Sequence, residues 1–221
     1  MNIDVQLPDK GTGFVTNNRC DNGACQFGQK SAIETALAVG AAWNGLHADR
    51  PFSIGQISRK GGGLFPPHKS HRVGLDIDVR PMRQNGENEP VTISDPEFDL
   101  ALTTELIKLW WQKAPVQMMF FNEPSVIAAG LSQFVNGHHN HFHVRLRAKD
   151  AVIRIGDRGS DVAEVQSILG LEPDGRFGPT TQHAVEDFQT AHQLLADGVV
   201  GPKTWAALRS TQATPAAAGV S

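Results

Sequence analysis

Two short stretches decide the fold: Gly74-Leu75-Asp76-Ile77-Asp78-Val79-Arg80 and His141-Phe142-His143-Val144-Arg145-Leu146. Each alternates apolar and polar residues. Successive side chains of a strand point to opposite faces, so a period of two predicts a strand with one face in a core and the other lining something polar. The apolar faces carry Leu75, Ile77 and Val79 in the first stretch and Phe142, Val144 and Leu146 in the second. The polar faces carry Asp76, Asp78 and Arg80, then His141, His143 and Arg145. Strands laid side by side with these faces aligned bring carboxylates and imidazoles together.

Working outward, residues 1–30 and 51–70 read as loops rich in Gly and Pro. Ser31 to about His47 reads as a helix, with Ile33, Leu37, Ala41 and Trp43 near one face. Ser31 is its expected N-cap, and Glu34 three residues later completes a capping box. Ser94-Asp95-Pro96 begins a second expected helix, with an apolar stripe of Phe98, Leu102, Leu106, Leu109 and Trp110 running to Lys113. Residues 116–121 read as a buried strand.

The character changes after Asp150. Asp174-Gly-Arg-Phe-Gly-Pro-Thr-Thr181 recurs as Asp197-Gly-Val-Val-Gly-Pro-Lys-Thr204, a D-G-x-x-G-P-x-T pattern with a period of 23. Each copy is a turn that places Pro at the start of a helix. The expected organisation is a first domain over 1–150, a small helical domain over 151–210, and a disordered tail over 211–221.

Composition narrows the function. At 221 residues, 40% apolar and 19% charged, the chain is a soluble globular protein long enough for two domains. The net charge is -3 and no run of like charges occurs, which argues against nucleic-acid binding. No apolar stretch approaches the roughly 20 residues of a membrane span. Met1–Lys10 carries no secretory signal pattern. Cys20 and Cys25, the only two cysteines, are read either as reduced thiols or as a short-range disulfide formed after export. A zinc site built on them lacks nearby partners.

Of nine histidines, six fall in two groups: His68 and His71, then His138, His139, His141 and His143. His71, Asp78 and His143 can converge on one ion. Two imidazoles and one carboxylate leave an open position for water, the pattern of a catalytic zinc site. The alternative is a solvated surface tract, which has no need of the register on two alternating strands.

The run Pro66-Pro67-His68-Lys69-Ser70-His71-Arg72-Val73-Gly74-Leu75-Asp76-Ile77-Asp78, with Gly137-His138-His139-Asn140-His141-Phe142-His143-Val144-Arg145, resembles the penicillin-insensitive murein endopeptidases. These are grouped with lysostaphin-type peptidases, D-Ala-D-Ala peptidases and the hedgehog amino-terminal domain. Ser53-Ile54-Gly55-Gln56-Ile57-Ser58 also fits. The resemblance covers most of residues 7–147. It implies an α+β, antiparallel-sheet zinc peptidase domain with Zn2+ held by His71, Asp78 and His143. It further implies His141 and His138 as the catalytic pair and His68 as an alternative or additional ligand. Asp76 is placed to orient a ligand imidazole, or else is a solvated carboxylate. His139 has no assigned role, and His47 is expected to be structural.

Residues 152–209 resemble the peptidoglycan-binding domain 1 family through Arg154–Val162, Val165-Gln166, Asp174–Gly178, Phe188-Gln189 and Asp197–Trp205. Phe177, Phe188 and Trp205 are expected in the core, and His183 and His192 on the surface. Together the resemblances imply a monomeric zinc D,D-endopeptidase that binds peptidoglycan and cuts the D-alanyl-diaminopimelate cross-link. The alternatives are an L,D cross-link, a D-Ala-D-Ala terminus, an L-Ala–D-Glu bond, or a wall-binding protein with an inactive peptidase domain. Without a signal peptide, the expected setting is synthesis in the cytoplasm and action on the wall after release, as a phage endolysin, or after injection, as an effector.

Overall fold

The computed structural model describes residues 2–16, 20 and 23–213. The chain divides into two compact units, Met1–Arg147 and Ala148 onward.

The first unit is built on a sheet of six strands in the order β2-β3-β5-β6-β8-β7. These are β2 (Lys10–Gly11), β3 (Phe14–Thr16), β5 (Phe52–Ile54), β6 (Asp76–Val79), β7 (Val116–Phe120) and β8 (Phe142–Leu146). A separate antiparallel pair joins β1 (Val5–Gln6) to β4 (Phe27–Gly28). The fold is α+β, but the main sheet is mixed rather than purely antiparallel, because β3 and β5 run parallel. A parallel pair needs a long crossover, and helix α1 (Lys30–Leu46) lies between these two strands in the chain. Residues 51–70 are therefore not all loop: Phe52-Ser53-Ile54 is a fully buried strand.

Both helix starts differ from the sequence expectation. Ser31 lies inside α1, whose N-cap is Gln29 and has no side-chain capping bond. Gln29 is fixed by tertiary bonds instead: its side chain donates to Val73 O at 2.8 Å and its N–H to Gly74 O at 3.0 Å. The buried face of α1 runs through Ala32, Ile33, Ala36, Val39, Gly40 and Trp43, leaving Leu37 and Ala41 exposed. The second helix, α2 (Leu100–Lys113), starts later than Ser94-Asp95-Pro96. Asp99 caps it, accepting from Leu102 N at 2.9 Å, while Asp95 closes a preceding turn on Thr92 N at 2.7 Å. A short helix, α3 (Pro124–Ala128), follows β7.

The register of β6 against β8 explains what each face does. Ile77 pairs with Val144 and Val79 with Phe142, and all four join Trp43, Phe52, Leu106 and Trp110 in the core. Asp78 stands opposite His143 and Asp76 opposite Arg145, so the polar residues share the other face.

The second unit packs α4 (Ser160–Ile168), α5 (Pro179–Ala191) and α6 (Pro202–Ala213) around Ile153, Val162, Val165, Phe177, Val185, Val200, Trp205 and Leu208. Phe188 packs against this cluster, while His183 and His192 are exposed. Residues 211–213 continue α6 rather than belonging to the tail, and 214–221 lie outside the described residues.

The 23-residue repeat becomes a repeated hydrogen-bond network. Gln166 donates to Asp174 Oδ1, Arg176 O and Thr181 Oγ1 at 2.7–3.1 Å and accepts from Gly175 N at 2.8 Å. Gln189 donates to Asp197 Oδ1, Val199 O and Thr204 Oγ1 at 2.9–3.1 Å and accepts from Gly198 N at 3.0 Å. Each buried amide satisfies the turn that starts the next helix. The start of the unit also lies against its last helix. Ala151 O accepts from Trp205 Nε1 at 2.9 Å, Ile153 pairs with Val200, and Asp150 pairs with Arg209.

Candidate metal centre

Three atoms converge on the polar face of β6 and β8. Asp78 Oδ1 lies 3.0 Å from His143 Nδ1 and 3.1 Å from His71 Nε2, and the two imidazole nitrogens are 3.2 Å apart. Tetrahedral ligands about 2.0–2.1 Å from zinc stand about 3.3 Å from one another, so this triangle has the size of three zinc ligands. All three residues are buried.

The outer partners set the tautomers. His71 Nδ1–H donates to Ile57 O at 2.7 Å, and His143 Nε2–H donates to Asp76 Oδ1 at 2.9 Å. The inward nitrogens of both rings are thereby left to face the carboxylate oxygen of Asp78. Three lone pairs facing one another repel unless a proton or a cation sits among them. The electrostatics point the same way. Burial works against the charged form of His143, yet its hydrogen bonds to Asp76 and Asp78 outweigh burial and raise its pKa to about 9. Burial also works against the Asp78 carboxylate, but the close approach of His143 and His71 outweighs it and holds the group well below the usual carboxylate range. The cluster attracts positive charge, and its donor set of two imidazoles and a carboxylate fits zinc.

His71 is reached by an unusual backbone. Its φ is 60°, a region non-glycine residues seldom adopt. Its N–H is held there by Asp76 Oδ2 at 2.9 Å. Asp76, fully buried, therefore binds the turn at His71, the ring of His143 and, through Oδ1 at 2.6 Å, Arg145 Nε. It is not a solvated carboxylate. Phe120 on β7 stacks on the His143 ring, with centroids 5.5 Å apart.

The remaining histidines are divided by position. His68 is half-buried and offers a ligand atom that lies, with those of His71 and Asp78, within a 4.8 Å cluster. It also bonds to Gln56 Oε1. His141 Nδ1–H donates to Asn140 Oδ1 at 2.8 Å, and its Nε2 is 3.7 Å from Asp78 Oδ1. Burial lowers its pKa to about 4, the attraction of Asp78 notwithstanding. His138 Nδ1–H donates to Val135 O at 3.0 Å, its ring is 4.8 Å from that of His141, and burial lowers its pKa too. Both rings thus present Nε2 as an acceptor near the cluster. His139 is exposed. His47 bonds to Glu105 at 3.0 Å and packs on Trp43, away from the cluster.

A cleft of about 230 Å³ opens beside the cluster, lined in part by Gln56, His68, Asp78, Arg80, Asn140 and His141. Sequence reasoning gave no role to Asn140, Gln56 or Phe120. Asn140 sits inside the histidine run and Gln56 inside the Ser53–Ser58 stretch, but nothing in a single sequence marks Phe120.

Similarity to known proteins is concentrated in limited parts of the chain. Residues 158–208 match the peptidoglycan binding domain family, PG_binding_1, so a helical domain of that family forms the second unit. An uncharacterized protein of Kitasatospora aureofaciens is 52% identical over 48 residues, covering 21% of this chain and 41% of that protein. The zinc D-Ala-D-Ala carboxypeptidase of Streptomyces albus G is 54% identical over 35 residues, covering 16% of this chain and 14% of its own length. The chain thus spans less than half the length of either curated relative. Among solved structures, a fused zinc-dependent amidase/peptidase/peptidoglycan-binding domain-containing protein from Clostridium acetobutylicum is 39% identical, with 27% of this chain and 29% of that chain covered and a TM-score of 0.26.

Proposed function

We propose that this chain is a zinc-dependent peptidoglycan endopeptidase that hydrolyses the D-alanyl-diaminopimelate cross-link. One observation carries the zinc reading: the 3.0–3.2 Å triangle of His71 Nε2, Asp78 Oδ1 and His143 Nδ1, with the opposite nitrogen of each ring already committed to Ile57 O or Asp76. These three residues hold the metal in this reading, with His68 beside them. Zinc supplies Lewis acidity and an activated water when bound.

The chain's own residues supply the proton chemistry. His141 is neutral at neutral pH, because burial holds its pKa at about 4. Its Nδ1 hydrogen is fixed on Asn140, so Nε2 has a lone pair directed to the cluster. It takes a proton from the attacking water as the new C–O bond forms. The proton then passes to the amine nitrogen as the peptide C–N bond breaks. His138, beside His141, is the second group in the transfer. The peptidoglycan-binding domain raises the local concentration of substrate and takes no part in the chemistry.

Purified muropeptide dimers, digested with and without a strong chelator and analysed by mass spectrometry, test this. The expected result is monomers split at the D-alanyl-diaminopimelate bond, only in the presence of zinc. Products of an L,D, D-Ala-D-Ala or L-Ala–D-Glu cleavage would replace the bond assignment. Intact dimers with zinc-loaded protein would leave a wall-binding protein with an inactive peptidase domain.

A further inference from the structure

The segment Gln56-Ile57-Ser58 touches three residues of the candidate metal cluster. Gln56 O accepts from Asp78 N at 3.0 Å, and Gln56 Oε1 accepts from His68 Nε2. Ile57 O accepts from His71 Nδ1 at 2.7 Å, and Ser58 Oγ donates to His71 O at 2.7 Å. The segment lies past the end of β5 at Ile54 and is held by single backbone bonds from Asp78 of β6 and Phe27 of β4, the latter to Ser58 O at 3.1 Å, and by Cys25, which is joined to Cys20 in a disulfide. Cys25 O accepts from both Ile57 N at 2.8 Å and Ser58 N at 3.1 Å, and Gln56 Nε2 donates to Cys20 Sγ at 3.6 Å.

The Gln56 amide is thus committed at both ends. Its oxygen fixes which nitrogen of His68 carries the hydrogen, leaving Nδ1 with its lone pair. Its nitrogen rests on the disulfide sulfur. We infer that Gln56 is a positioning residue for the metal centre and that the Cys20–Cys25 disulfide braces it, so that zinc affinity depends on the redox state of this pair. The inference rests on the zinc reading of the site. Disulfides persist on the oxidising side of the membrane and not in the cytosol. The chain therefore holds zinc weakly where peptidoglycan is absent and tightly where it is present.

The test is zinc affinity, by competition with a chromogenic chelator, on the full chain. Four forms are compared: oxidised, reduced, Cys20→Ser/Cys25→Ser and Gln56→Leu. A water-soluble trialkylphosphine serves as reductant. It breaks the S–S bond and takes oxygen from water to become the phosphine oxide, and the two sulfurs gain the hydrogens. Thermal unfolding of each form with saturating zinc checks that it is folded. Removing outer partners of metal ligands typically costs about 10–100-fold in affinity. A loss in that range is expected for the reduced, double-serine and Gln56→Leu forms. Gln56→Glu keeps the acceptor for His68 but loses the donor to Cys20 Sγ, so its affinity should fall between those of wild type and Gln56→Leu. Equal affinity in all folded forms would overturn this inference alone. No zinc binding by the oxidised wild-type chain would overturn the zinc reading and this inference with it.

Discussion

Asp76 Oδ1 accepts the Nε2 hydrogen of His143 at 2.9 Å, across the β6–β8 pair, while Oδ2 of the same carboxylate accepts the N–H of His71 at 2.9 Å. One side chain thus orients a ring on one strand and fixes the turn that carries a second ring. Replacing it with Asp76→Asn keeps the shape but removes the charge. Zinc affinity should fall by about 10–100-fold, as is typical when a ligand's outer partner is lost. Unchanged affinity in chelator competition would show that the carboxylate serves folding only.

The two histidines of His141-Phe142-His143 should separate in function. His143→Ala should abolish stoichiometric zinc, measured by elemental analysis of the dialysed protein. His141→Ala should retain zinc and lose about 10²–10⁴-fold in turnover, the range ascribed to a general base. Equal loss of metal from both variants would mean that His141 is a ligand rather than the base.

The second unit should fold as a fragment of residues 148–213 and pellet with insoluble peptidoglycan. A fragment begun at Val152 loses the Asp150–Arg209 pair and the Ala151–Trp205 bond and should melt lower. Gln166→Leu and Gln189→Leu each strip a turn of its buried partner. Each should cost about 1–3 kcal/mol, and each kcal/mol should lower the melting temperature by about 4–8 °C in a domain this small. Wild-type melting in either variant would make the two networks incidental.

Acid should weaken this unit. Backbone hydrogen bonds from Arg176 and Val199, with those from Gln166 and Gln189, hold Asp174 and Asp197 below their ordinary value of 3.8. A carboxylate depressed in the folded state stabilises it above the unfolded value, and that contribution is lost as pH falls through the folded value. Melting temperatures of the 148–213 fragment should therefore hold near neutral pH and fall below about pH 4. The Asp174→Asn/Asp197→Asn double variant should show a smaller fall. An identical acid profile in both proteins would remove these two groups as the cause.

The sheet face that carries the cluster was legible because β6 and β8 alternate without interruption. The period alone separated Ile77, Val79, Phe142 and Val144 from Asp76, Asp78 and His143. Strand β5 was not legible. Three residues between Pro51 and Gly55 are too few to display a period, and the parallel pairing depends on Phe14, 38 positions earlier. The start of α1 was misread because local capping chemistry at Ser31 lost to tertiary bonds between Gln29 and residues 73–74. In the cluster, residue types and spacing suggested His71, Asp78 and His143. The support from Ile57 O, Gln56 and Phe120 comes from contacts between segments that no local pattern encodes. The repeat after residue 150 announced its turns through Gly and Pro, but not that Gln166 and Gln189, eight residues before each Asp, close them.

The bonds from Asp150, Ala151 and Ile153 to Arg209, Trp205 and Val200 have a topological consequence. The chain arrives in the second unit beside the helix by which it leaves, so the unit is nearly a closed ring. A ring can be cut elsewhere. A circular permutant that joins residue 213 to residue 148 through a short flexible linker, and opens between the exposed Glu172 and Pro173, preserves both glutamine networks. It should melt within a few degrees of the uncut fragment and still pellet with walls, since ends that lie together make such re-threading tolerable.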